Sequence, residues 1–150
     1  MIKQIGQTVL TAAVGSSGKE TAVGGIVAAV GTFLAASLGG WDVALKLLVY
    51  CMVIDYATGF LGAIKTKSLN SEVMFWGGVR KGVVMLVVGL TVQLDLFLGN
   101  DSPLYRTLAL YFYIGREGLS IIENLGVLNV MVPSAVKERL QQLNGKDDNQ

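Results

Sequence analysis

Four long apolar stretches separated by short polar breaks run along this chain, and their spacing is that of helices. Residues 21–39, 43–64, 82–98 and 104–125 are each close to the length that carries an α-helix across a hydrocarbon layer of roughly 30 Å. An all-α membrane protein with three to four transmembrane helices is therefore expected, as one membrane domain over residues 1–150. Short amphipathic helices are predicted at both ends. Ile2, Ile5, Val9 and Ala12 share a face near the N-terminus. Beyond Pro133, Val136, Leu140 and Leu143 share another, before the polar tail that closes residues 134–150. Gly15-Ser16-Ser17-Gly18-Lys19 reads as a break, and its spacing is not that of a phosphate loop.

The polar positions inside the apolar stretches carry most of the information. Asp55 sits near the middle of the second stretch, and helical spacing aligns it with Cys51, Thr58, Gly59 and Gly62 in a stripe of small and polar residues. An acid in the centre of a membrane helix costs roughly 2.5–3.5 kcal/mol on insertion scales, so this stripe should meet another helix or water rather than lipid. The first stretch is uncharged, with Gly24, Ala28 and Thr32 on one face and Gly31, Ala35 and Gly39 on the next. Such ladders let backbones approach closely, within a monomer or between subunits. Gly78 and Gly82 carry the same theme into the third stretch, after a tight bend expected at Gly77-Gly78. The fourth stretch is the least hydrophobic, with Arg116, Glu117, Ser120, Glu123 and Asn124 on or near one face. These residues, with Asp95, are candidates for intramembrane ion pairs or for lining a pore. Arg116 is the expected cation for the acids.

Composition supports the membrane reading. Apolar residues make up 52% of the chain and charged residues 15%, against about 25% charged in an ordinary soluble domain. A net charge of +1 gives no general attraction to nucleic acid. Placement of the charges is more telling. Nine of the twelve Lys and Arg residues fall in the N-terminus, the 65–81 segment and the C-terminal tail, which four crossings would put on one side. Lys65, Lys67, Arg80 and Lys81 are the densest group and mark a cytoplasmic loop, so both termini are expected in the cytoplasm, and no cleaved signal peptide is evident. The chain has no histidine and a single cysteine, which excludes a disulfide framework, a His/Cys zinc site and His-dependent nucleophilic catalysis within one chain. No enzyme, cofactor or metal is expected. A small ion channel or transporter subunit and a structural membrane adaptor are the other classes that such a chain fits.

Certain residues also form an ordered set. Asp55-Tyr56-Ala57-Thr58-Gly59, then Ala63-Ile64-Lys65 and Ser71, then Gly77-Gly78-Val79-Arg80-Lys81, then Ser120-Ile121-Ile122-Glu123-Asn124-Leu125-Gly126 and Val132-Pro133 resemble the phage-lysis and toxin-secretion holin family that includes the holin of Bacillus phage phi29. The resemblance covers about residues 45–143 and leaves out the Gly/Ala-rich stretch 21–39. It implies an oligomeric protein of the host bacterial cytoplasmic membrane, which accumulates and then opens lesions through which an endolysin escapes as cargo without stable binding. Some relatives export toxins instead. The partners implied are other copies of the chain and the lipid bilayer, with no nucleic acid.

Overall fold

The computed structural model describes residues 18–144. The surface helix expected before Gly15 and the tail beyond Asn144 lie outside the described residues. Five helices account for most of the rest: α1 (Gly18–Ser37), α2 (Val43–Lys65), α3 (Ser71–Leu98), α4 (Leu104–Val127) and α5 (Ser134–Leu143). Two of them, α2 and α3, are long and apolar enough to cross a membrane, while the apolar part of α1, Thr21–Ser37, is shorter. Helix α1 forms a unit of its own. Gly24, Ala28 and Gly31 are exposed on it and Ala35 is half-buried.

The second unit is a bundle of α2 to α5 organised around α4, which packs against each of the other three. Its core consists of Leu45, Leu48, Cys51 and Met52 from α2, Val84 and Val88 from α3, and Leu110 and Ile114 from α4. These positions belong to seams with three- and four-residue steps. On α2 the seam runs Leu45, Leu48, Met52, Asp55, Gly59, Gly62; on α3 it runs Lys81, Val84, Val88, Val92, Asp95; on α4 it runs Arg106, Leu110, Ile114, Glu117, Ile121, Asn124. Such spacing keeps one face turned toward a neighbouring helix, so the charged members of the seams are carried inward with the aliphatic ones.

The helix ends are set by local chemistry. Asp42 caps α2 by accepting from the Leu45 amide at 2.9 Å, and Asn70 caps α3 by accepting from Glu72 at 2.8 Å and Val73 at 3.3 Å. Gly99 ends α3 in the left-handed conformation at φ 66°. The Asn70 cap corrects two expectations. Helix α3 begins at Ser71 rather than near Gly82, and it runs unbroken through Gly77-Gly78, so no bend occurs there. Arg80 and Lys81 consequently lie inside a helix, and the connection between α2 and α3 shrinks to residues 66–70.

Candidate functional site

At the middle of the bundle three charged side chains meet. Lys81 Nζ donates to Asp55 Oδ2 at 2.6 Å and also to Glu117 Oε2. Asn124 Nδ2 donates to Asp55 Oδ1 at 3.0 Å, to the Asp55 carbonyl at 3.2 Å and to Thr58 Oγ1 at 3.2 Å. The Thr58 hydroxyl in turn donates back to the Ile54 carbonyl at 2.8 Å. Among the described residues no buried side-chain nitrogen or oxygen is left without a partner. That satisfaction is what allows charges to sit inside an apolar bundle at all.

The three residues are level with one another. Asp55 lies ten residues before the end of α2 at Lys65, Lys81 ten after the start of α3 at Ser71, and Glu117 ten before the end of α4 at Val127. At 1.5 Å per residue each is about 15 Å from that end of the bundle, half of the roughly 30 Å hydrocarbon thickness. A cleft of about 490 Å³ runs from this level towards the residue 66–70 connection. Asp55, Lys81, Glu117, Ser120, Glu123 and Asn124 line it, together with Arg80, Arg116, Ser68 and Asn70. Beyond the charged level the aliphatic core closes the bundle.

A second polar centre sits at the opposite end. Arg106, 4% exposed, donates through Nε to the Leu38 carbonyl at 2.6 Å, through one terminal nitrogen to Asp42 Oδ2 at 2.7 Å and through the other to the Gly40 carbonyl at 3.2 Å. Gly39 makes this approach possible. Its φ is +79°, and a Cβ there would lie 2.6 Å from Arg106 Nε. Asp95 accepts from the Arg106 amide at 2.9 Å, the Tyr105 amide at 3.0 Å and Asn100 Nδ2 at 2.8 Å, so it caps α4 from a different helix. The Arg106 guanidinium, ahead of the cap bond from Leu45, holds the Asp42 carboxyl below the usual carboxylate range against the opposing effect of burial.

The sequence-selected residues therefore separate into groups. Asp55, Thr58, Glu117 and Asn124 come together, and Gly59 and Gly62 lie beside them, with a Cβ at Gly59 3.5 Å from Asn124 Nδ2 and one at Gly62 3.6 Å from Val127 Cγ1. Ser120 and Glu123 face the cleft. Asp95 belongs to the far-end centre. Gly78 and Gly82 are exposed, with nothing within 4 Å of an added Cβ. Lys67 is exposed at φ 55°, and Lys65 donates to the Val127 carbonyl at 2.7 Å, tying the ends of α2 and α4 together. Arg116 makes none of the expected pairs with the acids; its place is taken by Lys81 and Arg106. The sequence reading puts Lys81 in the basic loop and does not select Arg106, although Lys81 continues the Val84, Val88 and Val92 spacing and Arg106 stands four residues before Leu110. Gly115 and Gly118 were missed too. They are buried where α5 crosses α4, with an added Cβ 2.7 Å from the Asn144 amide nitrogen at Gly115 and 2.5 Å from Leu140 Cδ2 at Gly118.

The described residues are all-helical, with two apolar helices of membrane length and a part-buried charge cluster shared by α2, α3 and α4. Residues 32–145 match a bacteriophage holin family, and the chain belongs to that family. It is 36% identical over 104 residues to a protein named probable holin of Bacillus phage phi105, covering 69% of this chain and 76% of that one. It is also 38% identical over 120 residues to an uncharacterised 14.9 kDa protein of Clostridium perfringens, covering 80% of this chain and 91% of the relative. An uncharacterised Bacillus subtilis protein, YqxH, is 38% identical over 104 residues, 69% of this chain and 74% of its own length. No solved structure matches.

Proposed function

We propose that the chain is a lysis holin: it accumulates in the host cytoplasmic membrane, assembles with copies of itself and opens lesions that release an endolysin. Family membership supports the class, and the paired Asp55–Lys81–Glu117 cluster is the observation that carries the mechanism. Lys81, shared between the two carboxylates, lowers the cost of carrying them inside the bundle of a single subunit. In this proposal α1 and α4 also cross the membrane, with the residue 66–70 connection and the start of the chain on the cytoplasmic side. The exposed small-residue positions Gly24, Ala28, Gly31, Gly78 and Gly82 are the contact points between copies. The Asp55 stripe serves contacts within each subunit.

The test is induction in bacteria that also contain a cytoplasmic muralytic enzyme lacking its own export route. Abrupt clearing of the culture after a delay, dependent on both proteins, is the expected result. Continued growth with both proteins present would refute a lysis role.

A further inference from the structure

Helix α5 is polar, with Lys137, Glu138, Arg139, Gln141 and Gln142 among its ten residues and none of its residues buried. It nevertheless packs tightly, through Leu140, Leu143 and Asn144, onto Gly115 and Gly118 of α4. Those glycines flank Glu117, which Lys81 ties to Asp55, the thirteenth residue of the 23-residue helix α2. The tip of α5 is therefore beside the middle of a membrane-length helix. Gly118 and Gly115 are nine and twelve residues from the end of α4, or about 14 and 18 Å along its axis.

Lipid does not hold a helix like this at that depth. Charged side chains persist at membrane depth only against protein or around water. By helical spacing, Glu138 and Gln142 lie opposite the Leu140/Leu143 face, with Lys137 and Arg139 at its flanks; Lys137, Glu138, Arg139 and Gln142 are all exposed. The cleft on α4 also reaches Asn144 at the tip of α5.

We infer that the α4–α5 hairpin is the wall of the aqueous passage, with α5 lining the half that opens at the residue 66–70 end and turning Glu138 and Gln142 to water. This rests on the holin reading above. Assembly then needs no new polar surface, since each subunit already carries a water-compatible face at mid-depth and an apolar one on α2 and α3. Docking of α5 on Gly115 and Gly118 persists in the open state, which makes α5 part of the lesion rather than a cover that must leave.

The test uses the full chain with Cys51→Ala, reconstituted in vesicles of phosphatidylethanolamine and phosphatidylglycerol holding a folded reporter protein. Gly118→Cys with Leu140→Cys adds a disulfide across the contact, where the Gly118 Cβ position is 3.2 Å from Leu140 Cγ. Oxidised and reduced forms are expected to release the reporter with the same half-time. Loss of release on oxidation, regained on reduction, would overturn the inference by showing that α5 must undock. If the reduced pair is itself inactive, the thiol comparison below decides alone.

A second arm compares thiols near mid-depth in release-competent vesicles. Arg116→Cys on the hairpin is expected to react with a charged, membrane-impermeant maleimide, and Val83→Cys on the exposed face of α3 is not. Equal protection of the two would also overturn the inference. Absence of release by the chain with its native Cys51 would instead refute the holin reading, so the two failures are distinguishable.

Discussion

Lys81 holds two carboxylates that would otherwise repel one another across the seam between α2 and α4. Removing one member of a part-buried ion cluster leaves uncompensated charge, so Lys81→Met should destabilise the folded protein by up to about 3 kcal/mol. Replacing all three members, as Asp55→Asn, Lys81→Met and Glu117→Gln together, should recover most of that loss, because the uncompensated charge disappears with the acids. Thermal unfolding in detergent checks both variants. At the far end, Asp42 is ionised at lower pH than an ordinary aspartate because of Arg106. A lowered native value means that its contribution is complete above the ordinary 3.8 and is lost as pH falls through the lowered one. Asp42→Asn should therefore flatten the acid limb of the stability profile, measured as Tm against pH.

At the scale of the helix, glycines decide which contacts exist. Gly118→Val cannot be accommodated beneath Leu140 without moving α5, a change of the kind that costs about 1–3 kcal/mol in a packed interface. Limited proteolysis should then cut at Lys137 and Arg139 sooner than in the parent chain. Gly59→Leu would meet Asn124 in its own subunit, so it should lower monomer stability before it alters assembly. How far these elements could be read from the sequence follows from the same residues. The Asp55 stripe was legible because its polar and small residues stand out at three- and four-residue steps on a bulky helix. Lys81 was not, because Gly77-Gly78 resembles a bend and placed the lysine in a loop; only the Asn70 cap shows that α3 has already completed several turns by then. Arg106 was hidden for a different reason. Its side chain meets the Leu38 and Gly40 carbonyls, which leave no side-chain pattern to read, and the Asp42 carboxylate 64 residues away, while Asp95 bonds only its backbone amide.

For the whole molecule, the division between used and unused small-residue faces separates folding from assembly. Gly59, Gly62, Gly115 and Gly118 are occupied within the subunit, whereas Gly78 and Gly82 have open space beside them. Gly82→Leu should leave the thermal stability of the detergent-solubilised monomer unchanged while delaying lysis and reducing cross-linked higher assemblies in membranes. The Lys81 bridge holds Asp55 and Glu117 within the subunit, and the polar α4–α5 side is the face that meets water on assembly. A channel with a fixed pathway in each subunit would behave differently, conducting in proportion to the number of copies present. The most direct test follows membrane potential and cross-linked assembly size together, at short intervals after induction. The expected result is a potential that holds while the protein accumulates and collapses abruptly when large assemblies appear. A gradual decline proportional to the amount of protein, with no change in assembly size, would contradict it.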